Sequence, residues 1–135
     1  MILYLLDTNM VSDLVRRPAG SVRQRIALVG DKVIGTSIVV AAEARFGAAK
    51  AGSARLMTQL ERVLAELVVM PLTEPSDAFY ARTRADLEKA GTLIGANDLL
   101  IAAHALALDC TLVTDNEREF RRVSGLRVEN WLRAD

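Results

Sequence analysis

Four carboxylates hold positions from which they could act on a ligand together: Asp7, Glu43, Asp98 and Asp115. Asp7 ends the apolar run ILYLL and Asp115 follows TLV, so each is expected where a short buried strand gives way to a turn. Open α/β sheets hold their ligands at that edge. Glu43 and Asp98 lie inside IVVAAEARFGAA and IGANDLLIAAHALAL, where an ionised side chain needs a cation or strong donors to be tolerated. Four carboxylates gathered at one edge would repel by on the order of a few kcal/mol per close pair at a protein-like dielectric. Such a set needs a cationic partner, and oxygen-only donors select Mg2+ or Mn2+ over zinc, which would want histidine or cysteine. Without metal, at least one of the four is expected to have a raised pKa, and the group to titrate as a unit.

Each acid also has an ordinary explanation. Glu43 could pair with a nearby arginine, Arg45 being its sequence neighbour, although adjacent helix residues do not share a face. Asp98 stands where a helix-capping aspartate would. Asp7-Thr8-Asn9 and Thr114-Asp115-Asn116 could be strand-exit turns whose acids satisfy backbone donors. Glu117 and Glu119 follow Asp115 closely, but NEREFRR reads as a solvated short helix, and both are placed outside the metal set. His104 is assigned a packing role although its spacing from Asn97 could bring it to the edge of a site. Cys110 is read as an inert residue opening a buried strand, and Trp131 as a C-terminal anchor.

The elements that must position these residues follow from hydrophobic pattern. Strand-like runs at 2–6, 32–36, 67–71, 111–114 and 126–129 alternate with helical segments, the signature of a parallel sheet covered on both faces. Leu56, Met57, Leu60, Val63, Leu64 and Leu67 keep helical spacing, Pro75 opens a further helix that Gly91 closes, and 97–108 is apolar almost all round, as in a helix without a solvent face. Arg17-Pro18-Ala19-Gly20 reads as a loop between two short helices. The 135 residues are expected to form a single domain, 1–135. One cysteine and no zinc-type spacing point to a reducing compartment, and the cytoplasm is expected. The first strand begins too early for a basic leader, and no run approaches membrane-spanning length. Seventeen basic and seventeen acidic side chains cancel, so the net field announces no nucleic-acid partner; if four acids share a pocket, the remaining surface is basic and mostly arginine.

Taken together, LLDTNMVSDL, TSIVVAAEARFGAAK, IGANDLLIAAHALAL and TLVTDNEREFRRV resemble, in order and over essentially the whole chain, the PIN domain of VapC-type toxins from bacterial toxin–antitoxin pairs. The resemblance implies a three-layer α/β/α fold around a central parallel sheet, ribonuclease activity, a homodimer, and inhibition by a small antitoxin whose C-terminal segment blocks the site. It maps metal binding and catalysis onto Asp7, Glu43, Asp98 and Asp115, and supporting or substrate contacts onto Thr8, Asn9, Thr114 and Asn116. Departures are small: Ala44 replaces a common leucine, and Asp115 is retained where relatives often carry asparagine. With one histidine and three lysines, the chain is poorly supplied for metal-free acid–base cleavage of RNA, so a metal-activated water is expected to attack phosphorus. Arg16, Arg17, Lys50, Arg118, Arg121 and Arg122 lie near the acidic blocks and could line a phosphate track, although each taken singly reads as part of a solvated helix face. Two other resemblance-level readings compete: a PIN-like interaction module without catalysis, and a PIN nuclease acting outside a toxin–antitoxin pair. A haloacid-dehalogenase-like phosphatase would need a second aspartate where this chain has Asn9.

Overall fold

Five strands and seven α-helices alternate along residues 1–133, which the computed structural model describes. The strands are β1 (Tyr4–Leu6), β2 (Ile34–Ser37), β3 (Val68–Met70), β4 (Thr111–Val113) and β5 (Val128–Glu129). All five apolar runs read from the sequence overlap a strand. The second begins two residues later than expected because Asp31–Val33 close into a 3-10 turn, so β2 runs on to Ser37. The helices are α1 (Thr8–Arg16), α2 (Ser21–Val29), α3 (Ile38–Ala51), α4 (Ala54–Glu66), α5 (Ser76–Ala90), α6 (Ala96–Leu108) and α7 (Glu117–Phe120).

The sheet order is β3-β2-β1-β4-β5, and every pairing is parallel. Leu5 of β1 sits opposite Gly35 on one side and Leu112 on the other. Parallel neighbours need right-handed crossovers. The chain steps from β1 to β2 to β3 in one direction and then returns across β1 to β4, so α1–α4 fall on one face and α5 and α6 on the other. That is the three-layer arrangement, with α5 packed along α6 and α1, α3 and α4 in mutual contact.

Local chemistry sets the helix ends. The Ser37 hydroxyl accepts from the Val39 amide at 3.1 Å and the Ser53 hydroxyl from the Leu56 amide at 3.1 Å, each satisfying a donor that has no partner within the helix. Gly91 stops α5 at a φ of 70°, a left-handed conformation costly for any residue with a Cβ. α4 buries Leu60, Val63 and Leu64, the face expected from its spacing. α6 buries Leu99 and the run from Ile101 to Ala105, which explains its near-continuous apolar character. Leu5, Leu6, Ile34, Leu112, Val113, Ile101 and Phe120 are closed to solvent at the sheet–helix contacts, each large side chain contributing about 1.5–3 kcal/mol. Cys110 is buried beside β4 and burial pushes its thiol up to about 11, so it remains a protonated packing group. No helix among the described residues is long and apolar enough to cross a membrane.

Gly35 marks the tightest passage in the sheet. A Cβ there would lie 2.9 Å from the Val68 carbonyl oxygen and 3.3 Å from the Ile2 side chain. Gly35→Ala is expected to destabilise the fold by about 1–3 kcal/mol, because backbone must shift to admit the methyl. Thermal unfolding checks this; an unchanged midpoint would show that β2 and β3 separate freely.

Candidate active site

The return from β3 to β4 creates a topological switch point between β1 and β4, and an open α/β sheet has its natural crevice beyond the strand ends there. Asp7 immediately follows β1, and its amide donates to the Val113 carbonyl of β4 at 2.9 Å, closing the floor of that crevice. Above it opens a cavity of about 540 Å3 whose lining includes Asp7, Glu43, Asp98 and Asp115. Four acids separated by up to 108 positions thus share one cavity, because two leave neighbouring strands and two are carried in on α3 and α6.

Asp7, Glu43 and Asp115 each accept from donors supplied by other segments of the chain. Asp7, 5% exposed, accepts from the Thr8 amide at 2.8 Å, capping α1, and from the Thr114 hydroxyl at 2.7 Å. Capping and site membership therefore coexist at this residue. Glu43 accepts from the Thr8 hydroxyl at 2.8 Å and from the Asn97 side-chain amide at 3.2 Å. Arg45 pairs instead with Glu61 through two contacts of 2.9 Å, so the helix-edge ion pair considered for Glu43 is absent from the structure. Asp98 is the third residue of α6, whose cap is Gly95, and it does not cap the helix. Asp115 is exposed; its amide donates to the Asn9 side chain at 3.1 Å and its carboxylate accepts from Asn130 at 3.0 Å. Asn116 donates its amide to the Thr114 hydroxyl at 3.0 Å. Thr8, Asn9, Thr114 and Asn116 are accordingly the residues that tie the acidic segments together.

Crowding shows in the acids' affinities for protons. Burial, then the charges of Asp7, Glu119 and Glu43, push the Asp98 carboxyl up to about 6. Burial also raises Asp7 above the ordinary range, against the lowering effect of Thr114 and Thr8. Glu119 is the residue the sequence reading left out. It neighbours Asp98, whose affinity for a proton it raises by its charge and by hydrogen bonding, and it accepts from the Asn116 side-chain amide at 3.0 Å. A signal for it exists in NEREFRR. Phe120 is the first large apolar residue after Asn116 and is fully buried, which fixes the rotation of α7, and Glu119 lies three residues from the amide donor Asn116. Glu117, its side chain 13% exposed, is covered rather than solvated, accepting from Asn130 and paired with Arg121 and Arg133. His104 does not approach the cavity edge: its Nδ1 lies 2.7 Å from the Ser37 hydroxyl in a buried setting that lowers its pKa.

The expected phosphate track divides. Arg16 and Arg17 line the cavity. Arg17 is paired with the buried Asp13 at 3.1 Å, whereas Arg16 makes no ion pair among the described residues. Arg121 is engaged by Glu117, and Arg122 borders a separate hollow with Arg82 and Asp86. Lys50 and Arg118 are exposed outside the cavity lining.

A parallel three-layer sheet with acids gathered at its switch point defines a class, and the sequence matches the PIN domain family over residues 4–126, to which the chain belongs. Ribonuclease VapC2 of Haemophilus influenzae is 38% identical over 133 residues, 98% of this chain and 100% of the relative. The tRNA(fMet)-specific endonuclease VapC of Shigella flexneri is 32% identical over 132 residues, 97% of this chain and 99% of the relative. A solved structure, VapBC2 from Rickettsia felis bound to a DNA fragment from their promoter, matches with a TM-score of 0.88 at 34% identity, covering 96% of this chain and 99% of that one. At these identities and coverages the chain takes its place in the family among the VapC ribonucleases.

Proposed function

We propose that this chain is a Mg2+-dependent endoribonuclease, accepting Mn2+, that acts in the cytoplasm as the toxin of a toxin–antitoxin pair. The observation that carries the reading is the gathering of acids around Asp98 at the β1/β4 switch point, with Asp98 driven up to about 6 by its surroundings. The donor set is all oxygen, which suits a hard divalent cation. Among the described residues no three acidic, histidine or cysteine side chains stand close enough, as placed, to share an ion. The carboxylates are turned onto Thr8, Asn97, Thr114 and Asn130. Rotation of these side chains within the cavity would let Asp7, Glu43, Asp98 and Asp115 hold the metal, with Glu119 beside Asp98 as a fifth donor. The ion, when bound, supplies charge neutralisation and an activated water for attack on phosphorus.

The protein's own residues do the positioning. Thr114 and the Thr8 amide anchor Asp7 at the floor, and Thr8 links it to Glu43 across two helices. His104 is buried against Ser37 and offers no proton to substrate, so histidine-based acid–base cleavage has no participant here. Products should carry a 5′ phosphate and a 3′ hydroxyl, since the 2′ hydroxyl is not the nucleophile. Cleavage of an RNA pool that includes transfer RNA, followed by end-group analysis, tests this; cyclic or 3′-phosphate ends would overturn it.

Arg16 is the cation best placed to receive a phosphate. Arg16→Ala is expected to weaken RNA binding and to reduce the slope of log affinity against log salt by roughly 0.7–0.9, the loss of one contact. A filter-binding salt series on a metal-free sample measures it, and an unchanged slope would remove Arg16 from the RNA path. An antitoxin partner is supported by the VapBC complexes among the structural neighbours, and a homodimer by the family resemblance.

A further inference from the structure

The family match ends at residue 126, yet the segment that follows reaches the cavity. Trp131, 4% exposed, packs on Tyr4 with ring centroids 5.1 Å apart and donates its indole N–H to Glu129 at 3.0 Å. This anchor fixes the residues on either side. Leu132 forms part of the cavity wall. Asn130 points its amide at the β4–α7 connection, donating to Asp115 at 3.0 Å and to Glu117 at 3.1 Å. Its carbonyl oxygen is taken by the Leu132 amide at 2.9 Å, so the side chain cannot flip without losing that bond, and both N–H donors are committed to the two acids.

Asp115 and Glu117 flank Asn116, and Asn116 holds Glu119 against Asp98. On the other side the Asp115 amide is tied to Asn9 of α1. The connection that carries these acids is thus braced from α1 by Asn9 and from the C-terminal segment by Asn130. We infer that Asn130 is a positioning residue of the nuclease site: a neutral double donor, locked in place by buried Trp131, that sets where Asp115 and the Asn116–Glu119 pair present themselves to the metal. This rests on the reading of the acid cluster as the metal-binding site. Asparagine suits the task because it supplies two donors to two acids without adding a charge that would compete with the cation.

The test uses the full-length protein and Mn2+ alone as probe, with binding followed by the electron paramagnetic resonance of free Mn2+, beside RNA cleavage at saturating metal. Asn130→Ala removes the donors; Asn130→Asp keeps the shape but, when ionised, replaces the donors with a third carboxylate. Both are expected to weaken Mn2+ binding about 10-fold, the scale of losing a group that orients a metal ligand. Both should also lower kcat with little change in KM for RNA, and the isosteric aspartate should be at least as impaired as alanine. A purely packing role would let the isostere behave like the parent, and that result, or two variants that bind Mn2+ as the parent does, overturns the inference. Asp98→Asn is the control: if it binds Mn2+ as tightly as the parent, the metal-site reading fails and takes this inference with it, whereas a weakened Asp98→Asn beside unaffected Asn130 variants overturns the inference alone.

Discussion

Asp98→Asn is expected to stop RNA cleavage and, in the metal-free protein, to raise stability. Asp98 stands where burial and the charges of Asp7, Glu119 and Glu43 converge, with its carboxyl held at about 6 against an ordinary 3.8. The folded state therefore binds this proton more tightly than the unfolded chain does. The ionised carboxylate costs stability; the cost is complete above about pH 6 and gone below about pH 4. A shift of about two units corresponds to at most about 3 kcal/mol, and partial exposure of the group reduces the net effect to about 1 kcal/mol. Asparagine removes the charge and keeps the shape, so at pH 7.5 the variant's melting temperature should rise by a few degrees, with the gain vanishing near pH 4. Cleavage should fall about 10²–10⁴-fold, the range for loss of a group that supports charge in the transition state. Melting curves without metal across pH, beside turnover with it, check both halves. A variant less stable than the parent at pH 7.5 would show that Asp98 is a structural acid.

Glu119→Gln and Glu117→Gln are expected to separate sharply, although the residues are two apart on one turn of helix. Glu119 neighbours Asp98 and is held by Asn116, whereas Glu117 is engaged by Arg121 and Arg133. Glu119→Gln should lower activity and Mn2+ affinity by about 10–100-fold. Glu117→Gln keeps an acceptor for Asn130 and loses only its ion pairs to exposed arginines, which are screened by solvent, so its turnover should stay within about 2–3-fold of the parent. Equal activity in the two variants would return Glu119 to the solvated face on which sequence reasoning placed it.

The neighbouring of Glu119 and Asp98 shows which parts of the site are legible from sequence. Strand positions could be read because a strand buried on both faces is a short apolar run with polar residues at its exit. The same signal places Asp7 and Asp115 at the crevice. Glu43 is conspicuous as a charge in an apolar stretch, but Thr8 and Asn97, which make it tolerable, come from other helices and carry no local signal. Glu119 was hidden by its arginine-rich surroundings, since charge density describes a segment while the rotation of α7 is set by one buried residue, Phe120. The expected phosphate track divides for the same reason: sequence proximity to acids does not say which arginines are already paired, as Arg17 and Arg121 are. Asn130 lies 15 residues from its partner Asp115 and its role depends on a tertiary anchor, so no spacing rule would have found it.

Metal-dependent cleavage at this acid cluster is the central expectation. The direct measurement is incubation of purified protein with total RNA in Mg2+, in Mn2+ and in excess chelator, beside Asp98→Asn in Mg2+. Discrete cuts that appear with either metal, vanish with chelator and return on adding metal back, and are missing in the variant, are the result expected; cuts that persist in chelator, or that Asp98→Asn makes as well as the parent, would contradict it.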